Sequence, residues 1–238
     1  HASARTTLDA EGMVVCPGFV DAHVHGDLAL LVDPYHEPAI RQGVTTYVLG
    51  QDGVAFAPGG AAVRDYMRAY TAGFNGNFPT PGKTWANVAE YLAQFDRACA
   101  LNVCTLIPNG NVRMEVMGLD PRRPTTTELA AMRTLIREGM EQGAVGLSSG
   151  LDYVPSIYAD EAELSELCRD IAPFGGVYVT LNAVGGVLLL SWSGSRCCCQ
   201  YACGDRCCCA DSHVNGIDQH RHCRDQCGQS QRTAAAQS

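Results

Sequence analysis

Buried strands alternate with amphipathic helices along the first 180 residues, and this alternation limits the fold more than any other feature. Runs rich in β-branched residues and bounded by turn residues predict strands at residues 13–25, 44–49, 101–107, 144–149 and 176–180. Helical periodicity or start signals predict helices at residues 38–42, 61–72, 84–95, 125–142 and 160–172. Strands that alternate with helices form a parallel sheet.

The spacing of these strands suits a (β/α) barrel, whose eight strands typically need about 250 residues. A doubly wound sheet is the alternative, but the Gly-x-Gly-x-x-Gly loop is missing after the first strand. We therefore predict the α/β class and an incomplete TIM-like (β/α) barrel with about five of its eight strands, over residues 13–180. Residues 1–12 are interpreted as the remnant of a small β domain.

The composition changes abruptly after Thr180. Residues 181–238 contain no Glu, Lys, Pro, Phe or Met, and nine of the 13 cysteines lie between Cys197 and Cys227. In this part only residues 184–190 resemble a structural segment. We predict a poorly ordered, Cys-rich tail and interpret it as an out-of-frame translation, since the front part has the Ala-, Gly-, Arg- and Val-rich composition of a GC-rich gene. A structural zinc module is the alternative, built from Cys203, Cys207, Cys223, Cys227, His220 and His222, although this spacing fits no standard finger.

Charge and composition narrow the range of partners. The net charge of −8 argues against nucleic-acid and anionic-membrane partners. No run is long and apolar enough to span a bilayer. The few cysteines of the front part are typical of a cytoplasmic protein. The chain begins with His1 and shows no signal peptide, so it is predicted to be a fragment or a processed form. The oligomeric state stays open.

Two histidines close the first predicted strand, in the segment PGFVDAHVHGD at residues 17–27. Alternate residues of a strand point to the same side, about 6–7 Å apart, so His23 and His25 converge beyond its carboxyl end. Two imidazoles in this arrangement can hold one divalent metal ion. The alternative is that they are two histidines on a half-exposed strand and bind no metal ion.

Two further segments follow the predicted strands. Asp52, in Gly-Gln-Asp-Gly after the second strand, would point into the same barrel mouth and is a candidate third metal ligand. An Asp-Gly turn without a role in a site is the alternative. Tyr153 follows the fourth strand and is a candidate donor to a substrate carbonyl or oxyanion, or else a packing residue.

The motifs together resemble the N-acyl-D-amino-acid deacylases (D-aminoacylases) of the amidohydrolase superfamily. The resemblance covers residues 9–180 and lies in DAEG at 9–12, PGFVDAHVHGD, GVTTYVLGQDGVAFAP at 43–58, VMGLDPRRPTTTEL at 116–129, EGMEQGAVGLSSGLDYVPSIYA at 138–159 and FGGVYVT at 174–180. It implies a barrel that hydrolyses the amide of small-molecule N-acyl-D-amino acids with zinc. His23 and His25 match the first metal pair, and Tyr153 matches a tyrosine that contacts the substrate.

This sequence departs from the family at several positions. Asp52 occupies a ligand position that is cysteine in many members, and Leu181 stands where the family continues with a histidine ligand. A later histidine ligand and the catalytic aspartate have no counterpart; the tail's His213, His220 and His222 sit in no matching motif. No catalytic residue is therefore assigned, and the resemblance implies that this chain is inactive.

Two other functions stay open beside deacylation. A cyclic-amide amidohydrolase of the dihydroorotase or hydantoinase type is the first, although the fourth strand ends in Ser148-Ser149, with no lysine that could be carboxylated to bridge two metal ions. A non-catalytic, Cys-rich metal-binding protein is the second.

Overall fold

The computed structural model describes residues 5–181, 187–193 and 196–199, and their strands form one seven-stranded sheet in chain order. The first five strands are parallel to their neighbours and curl into an incomplete TIM-like barrel: β1 (Phe19–Asp21), β2 (Val44–Leu49), β3 (Asn102–Pro108), β4 (Gly146–Gly150) and β5 (Val177–Leu181). The predicted α/β class and five-stranded partial barrel are confirmed.

The strands after β5 run differently. Strand β6 (Val187–Ser193) pairs antiparallel with β5, and β7 (Arg196–Cys199) pairs antiparallel with β6. The segment predicted at residues 184–190 overlaps β6, and in the part of the chain that the structure describes the strand–helix alternation ends at β5. The predictions for the tail beyond residue 199, including its candidate zinc ligands, lie outside the described residues.

Eight α-helices lie within the described residues: α1 (Ala29–Val32), α2 (Glu37–Ile40), α3 (Ala61–Tyr70), α4 (Ala72–Asn75), α5 (Val88–Ala93), α6 (Asn109–Met117), α7 (Thr126–Glu141) and α8 (Glu161–Ile171). Short 3₁₀ turns occupy Ser156–Tyr158 and Ala172–Phe174. None of these helices is long and apolar enough to cross a membrane.

Helix α7 shows why the local predictions succeed. The Thr125 hydroxyl accepts a hydrogen bond from the Glu128 backbone N–H at 3.3 Å, and the Glu128 carboxylate accepts one from the Thr125 N–H at 2.8 Å. This capping box satisfies two donors at the start of the helix, as predicted from the sequence. Met132, Ile136 and Met140 are spaced by four residues, so they share one face, which is buried.

Two apolar clusters form the core. One contains residues of β2 and of the α1 and α5 regions, namely Leu28, Leu30, Tyr47, Leu49, Trp85 and Tyr91. The other contains residues of β3, β4 and the helices that follow them, namely Ile107, Val112, Met132, Ile136, Leu147, Leu167 and Ile171. The first cluster therefore anchors β2, whose carboxyl end leads into the turn with Asp52, and the second anchors β3 and β4.

The first strand is shorter than predicted. Residues 13–25 were expected to form one strand, but only Phe19–Asp21 do, and Met13, Val14 and Val15 are 72–91% exposed. Within the described residues β1 pairs only with β2, so the segment before it has no neighbouring strand to bond. Residues 5–12 form no helix or strand, and their assignment to a small β domain stays a prediction.

Candidate metal centre

Three side chains from two neighbouring strand ends converge beyond the barrel strands. His23 and His25 follow β1, and Asp52 lies in the turn after β2. One oxygen of Asp52, Oδ2, lies 3.0 Å from Nε2 of His25 and 3.6 Å from Nε2 of His23. The two imidazole rings are nearly perpendicular, with centroids 5.4 Å apart. The structure therefore brings together the three residues that the sequence suggests as ligands.

The Asp52 carboxylate is the electrostatic centre of this group. Its side chain is 4% exposed. Burial raises the pKa of this carboxyl, but the hydrogen bonds and positive charge of His23 and His25 lower it by more, to about 2. The hydrogen bond to Asp52 raises the pKa of His23, although burial acts in the opposite direction. Asp52 is therefore anionic at neutral pH.

The donor set and its spacing fit a divalent metal ion. The three ligand atoms all lie within 4.8 Å of one another. Ligand atoms about 2.1 Å from a tetrahedral zinc lie about 3.4 Å apart, which is close to the two distances from Asp52 Oδ2. Three buried atoms of the group, Asp52 Oδ1 and the Nδ1 atoms of both histidines, have no hydrogen-bond partner among the described residues. Two imidazole nitrogens and a carboxylate oxygen are a common donor set for zinc.

The turn that carries Asp52 has an unusual backbone. Asp52 has a φ of 59° and Gly50 a φ of 77°, in the left-handed region that aspartate tolerates better than most residues. A Cβ on Gly50 would lie 2.2 Å from the Leu106 carbonyl oxygen, and one on Gly150 would lie 2.1 Å from the Asp52 carbonyl oxygen. Glycine is therefore required where this turn contacts β3 and β4.

Gln51 joins the two strand ends that carry the candidate ligands. Its side chain is fully buried, and its amide Nε2 donates to the carbonyl oxygens of Ala22 at 2.9 Å and Val48 at 2.8 Å. Ala22 immediately precedes His23, so this side chain holds the histidine segment against the end of β2. Sequence reasoning missed Gln51, because its glutamine-to-carbonyl contact spans 29 residues and leaves no local pattern.

A buried carboxyl, that of Asp27, follows the two histidines in the sequence. Asp27 is fully buried and accepts a hydrogen bond from the Tyr91 hydroxyl at 3.0 Å. Burial raises the pKa of Asp27 and, together with the Asp27 charge, that of Tyr91. Sequence reasoning did not identify Asp27. The signal that could have identified Asp27 is the repeated two-residue spacing of His23, His25 and Asp27.

An aromatic ring, that of Phe74, connects Tyr153 with His25, one of the three converging residues. The Phe74 ring lies 4.6 Å from His25 and 5.6 Å from Tyr153, between ring centroids. Burial raises the pKa of the Tyr153 hydroxyl, and the Asp52 charge contributes further. Phe74 comes from α4, a one-turn helix that the sequence did not predict separately.

Leu181 is the last residue of β5. It pairs with Gly150 of β4, and its carbonyl oxygen accepts a hydrogen bond from the Leu151 N–H at 3.2 Å. The carboxyl end of β5 therefore carries an aliphatic side chain, which cannot bind a metal ion.

Comparison with known proteins agrees with this architecture. The sequence model of the amidohydrolase family matches residues 6–186, about three quarters of the chain. The chain belongs to the amidohydrolase family. The D-aminoacylase of Alcaligenes xylosoxydans xylosoxydans is 36% identical over 188 residues, which are 75% of this chain and 36% of that protein. The resemblance found in the motifs is thereby confirmed.

Two solved amidohydrolase structures resemble the fold of this chain. A D-aminoacylase crystal structure is similar with a TM-score of 0.56 and 33% identity, over 68% of this chain and 33% of that one. An N-acyl-D-glutamate deacylase from Bordetella bronchiseptica, complexed with zinc and a phosphonate inhibitor, is similar with a TM-score of 0.55 and 32% identity, over 69% of this chain and 33% of that one. The chain thus spans about a third of the length of the relatives it matches.

Proposed function

We propose that this chain carries the first metal-binding half of an amide hydrolase that acts on N-acyl-D-amino acids. The observation that carries the proposal is the convergence of His23, His25 and Asp52 at the ends of the first two barrel strands. The similarity to a D-aminoacylase supports the substrate class, and a small-molecule substrate suits the net charge of −8. The cytoplasmic location suggested by the sequence stays a prediction.

In this proposal His23 and His25 bind zinc through Nε2 and Asp52 through its carboxylate. Zinc in such a site polarises an amide carbonyl and makes a bound water more acidic. Asp52 is ready to bind at neutral pH, since its pKa is about 2. At His23 zinc competes with a proton, because the hydrogen bond to Asp52 raises the pKa of this histidine. The Tyr153 hydroxyl stays protonated at neutral pH because its pKa is raised, so it can donate a hydrogen bond to the substrate carbonyl.

We further propose that metal binding by this chain is weak and that the chain has no deacylase activity. Leu181 stands at the end of β5, where the family resemblance implies a histidine ligand. The following strand runs antiparallel, so it does not present its carboxyl end beside those of β1 to β5. Two histidines and one hard oxygen ligand hold zinc less firmly than a site with an additional histidine.

Metal titration of the purified full chain tests the centre. Calorimetry with Zn²⁺ is expected to give one site that disappears in His25→Ala. The matched control is His36→Ala, because His36 lies outside the centre, with Nδ1 2.8 Å from the Tyr47 hydroxyl. Zinc binding that survives His25→Ala but is abolished by alkylating the cysteines would instead support the Cys-rich metal-binding alternative.

A chimera tests the substrate class. Residues 6–180 of this chain replace the matching segment of the A. xylosoxydans D-aminoacylase, and circular dichroism establishes that the product folds. Turnover of N-acetyl-D-methionine that is lost on His25→Ala supports the proposal. Turnover of hydantoin or dihydroorotate, without that of N-acetyl-D-methionine, would favour the cyclic-amide alternative. Turnover of N-acetyl-D-methionine by the unmodified chain itself would contradict the proposed inactivity.

A further inference from the structure

A buried serine on β4 contacts both ends of the turn that carries Asp52. The Ser148 hydroxyl donates to the Gly50 carbonyl oxygen at 2.5 Å and accepts from the Gly53 N–H at 3.1 Å. Ser148 is fully buried. These two hydrogen bonds span 98 and 95 residues of sequence, so they join the ends of two barrel strands rather than neighbours in the chain.

The turn between those two contacts has little freedom to move. Its Gly53 carbonyl oxygen accepts a hydrogen bond from the Gly110 N–H at 2.9 Å, which joins it to the start of α6. The Asp52 carbonyl lies directly against the backbone of Gly150, where no Cβ would fit. Asp52 itself holds a left-handed backbone that tertiary contacts must maintain.

We propose that Ser148 is a positioning residue that fixes the Gly50–Gly53 turn and so aims the Asp52 carboxylate at the metal position between His23 and His25. The proposal rests on the metal centre proposed above. A hydroxyl can donate and accept at once, which is what the two ends of this turn require. Alanine at Ser148 removes the partner shared by the Gly50 carbonyl and the Gly53 N–H, and leaves the turn free to relax.

The next residue provides a matched control. Ser149 is also fully buried, but successive residues of a strand face opposite sides of the sheet. Its hydroxyl oxygen lies 2.6 Å from the Tyr178 hydroxyl and 2.7 Å from the Thr180 hydroxyl, both on β5. Ser149→Ala therefore removes two hydrogen bonds of a buried hydroxyl, like Ser148→Ala, without touching the turn that carries Asp52.

The experiment compares the two alanine variants in the full chain. Calorimetry with Zn²⁺ is expected to show a loss of affinity of about 10–100-fold for Ser148→Ala, the usual effect of removing a partner that orients a ligand. Ser149→Ala is expected to stay within about twofold of the unmodified chain. With Co²⁺, the visible absorption spectrum is expected to change in Ser148→Ala alone. The thermal unfolding midpoint of each variant is also measured, and the two variants are expected to lose a similar amount of stability.

Amide hydrogen exchange in metal-free protein separates this proposal from that of the metal centre. The Gly53 N–H is expected to exchange at least about tenfold faster in Ser148→Ala than in Ser149→Ala, because only Ser148 bonds it. If the unmodified chain binds no metal, the proposed centre fails, whereas selective exchange at Gly53 still supports the contact that fixes the turn. Unchanged exchange, or faster exchange with unchanged Zn²⁺ affinity and Co²⁺ spectrum, would overturn the positioning role.

Discussion

Replacing Asp52 with asparagine removes one negative charge from between two imidazoles and changes little else. The carboxylate Oδ2 lies 3.0 Å from His25 Nε2 and 3.6 Å from His23 Nε2. Asparagine has almost the same shape, and it tolerates the left-handed φ of 59° as well as aspartate does. The Asp52→Asn variant therefore isolates the charge, whereas Asp52→Ala would add backbone strain.

The expected loss of stability in Asp52→Asn follows from the pKa of Asp52 in the folded chain. A pKa lowered from 3.8 to about 2 corresponds to about 2 to 3 kcal/mol of stability, since one pKa unit is worth about 1.4 kcal/mol. A lowered carboxyl pKa contributes stability above pH 3.8 that is lost as the pH falls towards 2. The raised pKa of His23 contributes stability below 6.5 that is lost as the pH rises through the raised value. Both charges coexist between about pH 4 and the pKa of His23, so the effect of the substitution is largest near pH 5.5.

Urea unfolding of the metal-free full chain measures this difference. Near pH 5.5 the Asp52→Asn variant is expected to be less stable by about 2 to 3 kcal/mol, a factor of about 30 or more in the ratio of folded to unfolded protein. The difference is expected to shrink as the pH rises through the raised pKa of His23, because His23 then loses its proton. Asp65→Asn, at an exposed position of α3, is the matched control and is expected to change stability by less than about 0.5 kcal/mol.

An NMR titration of the histidines is an independent test of the interaction between Asp52 and His23. The pKa of His23 is expected to fall in Asp52→Asn, because the hydrogen bond to a charged carboxylate is its largest cause. Equal stability of the variant and the unmodified chain near pH 5.5, or a difference that grows towards pH 8, would refute the reasoning.

Three further predictions concern Gly150, the buried ion pair of Arg113 with Glu163, and the pH dependence of Zn²⁺ binding. Gly150→Ala is expected to weaken Zn²⁺ binding at least about tenfold in calorimetry, because the new Cβ would lie 2.1 Å from the Asp52 carbonyl oxygen and must displace the turn; unchanged affinity would contradict this. Glu163→Gln is expected to lower the free energy of unfolding, measured with urea, by about 3 kcal/mol, because it leaves Arg113 as an uncompensated charge at 0% exposure. The double variant with Arg113→Met is expected to recover most of this loss. The affinity for Zn²⁺, measured as a function of pH, is expected to fall as the pH is lowered through the raised pKa of His23. The fall is expected to reach about tenfold per pH unit for each histidine that takes up a proton. An affinity that does not change with pH would exclude His23 as a ligand.

Strands β2 to β5 and the longer helices could be predicted from the sequence because their signals are local. Strand β2 has the predicted bounds, Val44–Leu49, and β3 to β5 begin and end within two residues of their predicted positions. Helix α7 was located by its capping box and by the apolar spacing of its buried face. The spacing of His23 and His25 was equally local, since two residues of an extended segment share a side.

Helix α6 was missed because its stability comes from tertiary packing. Asn109, Asn111 and Arg113 are polar but fully buried, so the segment has no apolar stripe that a periodicity search could detect. The Asn111 side chain bonds the backbone of Ala55 and Pro58, and Arg113 bonds Glu163, 50 residues away. These partners compensate for the burial of polar groups, and only the folded chain brings them together.

The sequence by itself determined the parallel α/β class, the order of the strands and the residue types available at their carboxyl ends. The tertiary structure decided which of these residues meet: Asp52 lies 27 residues beyond His25, and Ser148 lies 95 residues beyond Gly53. Periodicity and capping act over a few residues and therefore leave a readable pattern, whereas hydrogen bonds between strand ends depend on how the sheet curls. For this reason the candidate metal ligands were foreseeable one by one, but the contacts that hold them in place were not.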